Sequence, residues 1–502
     1  MADTSQRRRI LLSPESSGDR PPPPPPSPRD LISALPDHAI RDIFSYLPTE
    51  DVVRTSVLSK RWRYRWRTTT TNLVFNRVRP RHHRARSLDF RSIVDSVLSQ
   101  HTSTSELKKF HVNGFFYDKA DSPKLEEWLC FTEQRHVEDL CLELDTSLQA
   151  MYILPHFLFC SSSLVRLQVS RCCFSLGRTS INWPRLKVLL LSNVNLSDDI
   201  LTCILRGSPV LESLELGRCL GLNNVVLDST TSVKHLFLSI SNLFDLRRIR
   251  APHLLRMRVA GTCSCSEAAE HMSLEDISSL VEADLNFEIL PRVHVPGDIR
   301  MACDLLKEFL EKLHGVPTIT LGDWCLQILS LLEMKGVPPP SLTCQNLILH
   351  GLVSQWDLLG IAYNLQSSQC LEKLVLHLTG CPTLKFQVDE ESKERFNFDG
   401  EDFLCSRKGN FGCLARHLKR VEIIGFGALS FGLNHLLPLI KFILGHALVL
   451  EKLIIKPELS TRLAQQPLQA DVMLRLLELS NNVLSFRRAS KKAKVIFYYP
   501  LE

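Results

Sequence analysis

No apolar run in the 502 residues approaches the length needed to span a bilayer, and the N-terminus lacks the apolar core of a secretory signal. A soluble intracellular protein is expected, in the nucleus, the cytoplasm or both, with no membrane partner. A strong excess of one charge is also missing. The formal net charge is +6, far from the balance of a dedicated nucleic-acid binder, so nucleic acid is not expected as a partner. Sixteen cysteines are present, but Cys263-x-Cys265 and Cys172-Cys173 lack the paired spacing of a zinc site. Scattered thiols of this kind suit a reducing compartment better than a disulfide framework. Catalytic signatures are absent too. Gly425-Phe-Gly427 follows a strand pattern, but Ser430 stands where a phosphate-binding fingerprint needs its third glycine. His82-His83 has no Cys or carboxylate at ligand spacing, and there is no Gly-x-Ser-x-Gly nucleophile elbow. No active site, metal or cofactor is expected.

What is present is a globular composition, 44% hydrophobic and 23% charged, in a chain long enough for several domains or for one short domain and a repeat array. Residues 1–29 hold Arg7-Arg8-Arg9 and the run Pro21 to Pro26, the composition of a disordered or polyproline-II tail. From Asp30 to Phe75 three short helices are expected. Ile40, Ile43, Phe44 and Leu47 recur at i, i+3, i+4 and i+7, one face of a helix that Pro48 ends. Thr49 offers a cap for a second helix with Glu50 and Asp51 in its first turn and Val52, Val53 and Val57 on its apolar face. Ser59 caps a third, in which Trp62 and Trp66 lie one turn apart on one side. So few residues cannot bury all those apolar groups among themselves, and some should wait for a partner.

The segment from Leu35 to Trp66, with its Leu35-Pro36 start, Leu47-Pro48 middle and Ser59-Lys60-Arg61-Trp62 end, resembles a plant-type F-box. The resemblance implies docking to the Skp-type adaptor of a cullin-based ubiquitin ligase. Carried over residue by residue, the adaptor face would be Leu35, Pro36, Ile40, Ile43, Leu47, Pro48, Val53, Ser56, Leu58 and Trp62. Two positions depart from the usual pattern: Arg65 stands where an apolar residue commonly precedes the last tryptophan, and His38 where an acidic or aliphatic residue is more typical. The basic stretch from Arg77 to Arg86 follows directly and reads as a nuclear-import signal, a phosphate-contacting patch or a solvated loop.

From Val137 onward one pattern returns. Leu140-x-Leu142-x-Leu144, Leu164-x-x-Leu167-x-Val169, Leu186-x-x-Leu189-x-Leu191, Leu211-x-x-Leu214-x-Leu216, Val233-x-x-Leu236-x-Leu238 and Leu254-x-x-Met257-x-Val259 succeed one another at about 21 to 27 residues, the period of leucine-rich repeats. In each strand the apolar residues point one way, while Arg166, Glu215 and His235 point the other. Segments such as Asp199 to Leu205 carry helical spacing, giving strand, turn, helix, turn. Past Gly261 the period loosens, and Pro338-Pro339-Pro340 and the charged stretch from Asp389 to Asp402 read as surface loops. Near the end, Leu418-Lys-Arg-Val-Glu-Ile423 and Ala447-x-x-Leu450-Glu-Lys-Leu453 resemble the FBD module that follows leucine-rich repeats in plant F-box proteins, and Arg487 to Phe497 resembles its tail.

The expected architecture is an α/β chain: a tail (1–29), a three-helix F-box (30–75), a basic connector and start of repeats (76–136), an irregular leucine-rich-repeat solenoid of strand-helix repeats (137–412) and an FBD-like end (413–498). The resemblance implies a non-catalytic substrate-recognition subunit of a Skp-cullin-F-box ligase. Its partners would be the adaptor, through it a cullin, and a target protein held on the repeats. The alternative is a protein-interaction scaffold without ligase activity, nuclear and contacting nucleic acid through the basic patch from Arg77 to Arg86.

Overall fold

A computed structural model describes residues 32–77, 87–102, 107–146, 150–177, 179–263, 272–289, 296–351, 355–378, 404, 411–426, 433–457 and 466–499. The proline-rich tail, the basic residues beyond Arg77, the stretch from Asp389 to Asp402, and Gly427 and Ser430 lie outside the described residues.

Three helices stand first: α1 (Asp37–Tyr46), α2 (Thr49–Arg54) and α3 (Trp62–Thr69). The apolar spacing of α1 buries Ile40 and Phe44, and Leu47 falls just past its end at the cap. Phe44 meets the Trp62 ring edge-on at 5.5 Å, and Trp66 is buried one turn on. The Ser59 hydroxyl accepts from the Trp62 backbone N–H at 3.3 Å, a capping contact.

Two expectations for α2 fail. Pro48 holds its cap position without a side-chain bond, and Thr49 Oγ1 instead accepts from the Val74 backbone N–H at 2.6 Å. The strand N–H needs an acceptor as it leaves water, and the buried Thr49 hydroxyl is the one beside it. Val57, expected on the apolar face of α2, sits in the 3₁₀ turn Thr55–Val57 and is 87% exposed. The tighter winding of that turn rotates it away from Val52, which is buried.

The remaining chain is organised by one fifteen-stranded sheet whose strands lie side by side in chain order, every pairing parallel. It starts with Asn72–Asn76, inside the segment expected to be F-box, and continues with Lys109–Tyr117, ahead of the first expected repeat. Leu167, Leu189, Leu214 and Leu236 stand in register on successive strands and are fully buried. Each such burial contributes about 1.5–3 kcal/mol. The apolar residues of the F-box join the same core as those of the sheet.

A repeated turn closes these strands. Arg171, Asn193 and Arg218, each one residue past a strand end, have φ of 59°, 51° and 51°. Each donates its N–H to a carbonyl at or next to the end of the following strand: Arg171 to Ser192, Asn193 to Gly217 and Arg218 to Ser239. Left-handed backbone is costly for arginine, and the captured N–H in each repeat offsets it. No glycine or asparagine signals the turn at two of the three positions, so the pattern is not legible from residue type.

The expected strand-helix repeat is only partly present. Asp198–Gly207 is a helix capped by Ser197, whose hydroxyl accepts from Ile200 N at 3.3 Å. It occupies the 25-residue interval between strands beginning at 188 and 213. The intervals of 22 and 21 residues that follow, to strands beginning at 235 and 256, return through turns and the short strands Asn224–Val226 and Arg248–Arg250. Less chain is available there, and an extended path covers the span with fewer residues than a helix.

Past residue 282 the intervals lengthen and long helices appear, among them Pro296–Lys312, Asp323–Met334, Gln355–Ser367, Leu433–His446 and Gln466–Ser485. The looser period does not interrupt the sheet. Glu212 N donates to Lys187 O at 2.9 Å, and the equivalent bond recurs from Lys419 to Glu372, Glu451 to Lys419 and Lys494 to Glu451 at 2.8–2.9 Å. The FBD-like segment is thus the end of the same sheet. Gly425 sits at a register shift in Arg420–Phe426 with φ of 89°, and a Cβ there would meet Leu378 O at 2.6 Å. Only glycine fits both constraints.

Candidate functional site

The F-box helices divide the expected adaptor residues into three groups. Pro36, Ile43 and Leu58 are exposed, the latter two at 37% and 48%. Leu35, Leu47, Pro48, Val53 and Ser56 are half-buried, with Leu35, Leu47 and Val53 packed against the core. Ile40 and Trp62 are 0% and 2% exposed. Both belong to the interior that holds the helices together. The cause is the number of large apolar groups in three short helices, since Phe44, Trp62 and Trp66 need each other and Ile40 to leave water.

The exposed face contains residues the sequence reading passed over. Ile32, Tyr46 and Tyr64 are exposed alongside Ile43, Val57 and Leu58. Tyr46, 87% exposed, is three residues from Ile43 on α1, so the two are surface neighbours. The signal was available, because Tyr46 continues the outer stripe of α1 opposite the Ile40–Phe44 face.

An ion-pair cluster links the first and third helices. Asp37 accepts from Arg61 at 2.5 Å and from Arg65. Arg65 and then Arg61 hold its carboxyl below the usual carboxylate range. Arg65, the departure from the family pattern, therefore has a structural task. The Trp62 indole donates to Ile32 O at 3.1 Å and ties the segment before α1 to the same core.

The second candidate surface is the sheet face that carries the polar residues of each strand. Near the first strands Asp139 faces His111, Lys109 and Arg166 at 3.0, 3.6 and 3.8 Å. Burial pushes its carboxyl up, but the hydrogen bond from His111 and the charges around it, Lys109 and Arg166 among them, outweigh it and leave the group below its ordinary value. Midway, Arg256 and Arg258 pair with Glu282 and Asp284 at 3.1 and 3.2 Å across one strand boundary. Further on, His350 and His377 stand in register with their rings stacked at 4.9 Å. At the last strands Glu422, 6% exposed, meets Lys373 at 2.9 Å, Arg420 at 2.7 Å and Lys456 at 3.7 Å. These are surfaces of strand-borne charge suited to protein recognition. Among the described residues no group of three or more His, Cys, Asp or Glu could hold a metal ion, and no helix is long and apolar enough to cross a membrane.

Comparison with known families agrees with this layout. A model described as F-box domain matches residues 32–71, one described as FBD-associated F-box protein At5g56370, LRR repeats, matches residues 125–279, and one described as FBD matches residues 408–455. The chain is 35% identical over 385 residues to the putative F-box/LRR-repeat protein At3g18150 of Arabidopsis thaliana, a match covering 74% of this chain and 77% of that one. The chain belongs to the plant F-box/FBD/LRR family. A second relative, the F-box/LRR-repeat protein At3g03360 of Arabidopsis thaliana, is 33% identical over 363 residues, covering 70% of this chain and 71% of its own. In this family member the matched F-box ends at residue 71, one residue before the first strand of the sheet. An F-box domain implies, in general, a surface for a Skp-type adaptor, and here that domain carries the exposed apolar residues of α1 and of the turn after α2.

Proposed function

We propose that this chain is the substrate-recognition subunit of a Skp-cullin-F-box ubiquitin ligase. The exposed apolar residues of the F-box dock the Skp-type adaptor, through which a cullin is recruited, and the polar face of the sheet holds a target protein. The carrying observation is the set Ile32, Ile43, Tyr46, Val57, Leu58 and Tyr64, all solvent-exposed within one segment of about thirty residues. So many exposed large apolar side chains in so short a segment support an interaction site here. The chain's part in ubiquitination is positional: it raises the effective concentration of a target lysine near a ubiquitin-charged enzyme carried by other subunits, without reacting itself.

The reading is tested by capture of purified Skp-type adaptor with the full chain and with an Ile43→Asp, Leu58→Asp variant. Both side chains are exposed, so folding is kept while an apolar interface acquires two buried charges, which should abolish capture. Equal capture by both proteins would overturn the assignment.

A further inference from the structure

Four adjacent strands at the end of the sheet carry a cation at the same register position. Lys373 lies opposite Arg420, Arg420 opposite Lys452, and Lys452 opposite Lys494. Lys456 stands four residues along the strand from Lys452, its ammonium 5.4 Å from the exposed Tyr498 ring. Like charges directly opposite on neighbouring strands repel, so this row works against folding unless an anion relieves it. Glu422 does so at one end, where it contacts Lys373, Arg420 and Lys456. It is the only carboxylate among the described polar-face positions of these four strands. Among the described residues Lys452 and Lys494 have no ion-pair partner, and both are exposed.

A lysine on the last strand has an ordinary use, discouraging edge-to-edge pairing of sheets. That accounts for Lys494 and leaves Lys373, Arg420 and Lys452, which are on interior strands. At the usual strand spacing of about 4.8 Å, the row places four cations along about 14 Å. Carboxylates on successive turns of a helix recur every 5–6 Å or so, close to that spacing. A duplex nucleic acid fits less well, because the row is short, it encloses a carboxylate at Glu422, and the whole chain is only mildly basic at +6.

We propose that this row is a docking surface for an acidic segment of a partner protein, a run of Asp and Glu laid across the last four strands. The proposal rests on reading the sheet face as the target-binding surface; it does not depend on the adaptor contact. Three of the four strands, those of Arg420, Lys452 and Lys494, lie in the FBD-like segment and the strand of Lys373 just before it, so the row assigns the selective part of the surface to the end of the sheet.

The test uses the full chain and a fluorescent peptide of eight consecutive glutamates, with binding measured at low and at physiological salt. Lys452→Gln combined with Lys494→Gln should weaken binding about tenfold and flatten its salt dependence. Lys187→Gln combined with Lys234→Gln, an equal loss of charge at exposed positions of the regular repeats, should leave it unchanged. Four results would each overturn the proposal: no binding by the unaltered chain at low salt, equal weakening by both pairs of substitutions, preference for a DNA oligonucleotide over the peptide, or binding that emerges only when the acidic residues of 389–402 are neutralised. The last would mean that the chain's own insert is the occupant. Adaptor capture, measured on the same variants, should be unaffected, so failure there bears on the F-box reading and failure of peptide binding bears on this one.

Discussion

Replacing Ile40 by alanine separates a core residue from a contact residue only three positions away. Ile40 is fully buried beneath α1 against the Phe44 and Trp62 pair, whereas Ile43 is 37% exposed on the same helix. Truncating a buried isoleucine to alanine costs about 2–5 kcal/mol, with the higher values where neighbours cannot close in. The F-box interior is a handful of large rings and aliphatic groups on three short helices, so collapse around the missing atoms is limited. We take about 3 kcal/mol, which is roughly a hundredfold increase in the opening equilibrium of the helices. Hydrogen exchange reads this directly. Amides of α1 and α3 should exchange about a hundredfold faster in Ile40→Ala, while amides of Val188–Ser192 in the sheet keep their protection. Ile43→Ala should leave exchange within about twofold of the parent, since exposed substitutions typically shift stability by less than about 0.5 kcal/mol, yet should weaken adaptor capture. Trp62→Ala belongs with Ile40→Ala, and it additionally removes the indole bond to Ile32 O. Unchanged exchange in Ile40→Ala, or equal acceleration in Ile43→Ala, would refute the division of the F-box into interior and face.

Further predictions follow from single contacts. Thr49→Val removes the acceptor of the Val74 N–H; it should cost about 1–3 kcal/mol and speed exchange of the Asn72–Asn76 strand more than that of later strands. Gly425→Ala forces a left-handed residue and a Cβ against Leu378 O; a loss of about 1–3 kcal/mol in thermal or denaturant unfolding is expected, and a neutral result would show that the shift in register is not obligatory. Burial raises the Glu422 carboxyl, but Lys373 and Arg420 outweigh it and set it below its ordinary value of 4.5. Its folded-state affinity for protons is lower than in the unfolded chain, so its contribution to stability is fully present above about pH 4.5 and is lost as pH falls through the lowered value. Glu422→Gln should therefore destabilise the chain at pH 7 by about 1 kcal/mol, because Lys373, Arg420 and Lys456 lose their carboxylate but are part-exposed and stay hydrated. The gap between the two proteins should close in unfolding measurements taken at progressively lower pH below 4.5.

The local elements and their kind are legible in the residues alone. The period-2 leucines specify strands because alternate side chains leave water together, and the repeat interval specifies their succession, so the spacing alone aligns Leu167, Leu189, Leu214 and Leu236, which pair in that register. The F-box was legible from its prolines and tryptophans, and the Ser59 contact from its spacing to Trp62. Competing uses of a residue are resolved only by packing across the fold. Thr49 can serve a helix start or a strand edge, and only the proximity of Val74 selects the strand. Ile40 and Ile43 are both apolar and both on α1, and only the positions of Phe44 and Trp62 select which one is interior. The FBD-like segment looked like a separate module because its period differs, yet its strands continue the same hydrogen-bonded row from Glu372 to Lys494. The cationic row is decided in the same way: Lys373, Arg420, Lys452 and Lys494 are separated by long inserts in the chain, and register alone brings them side by side. Strand periodicity is a local property that side-chain chemistry encodes residue by residue; register across a sheet is a global one, set by where the whole core closes.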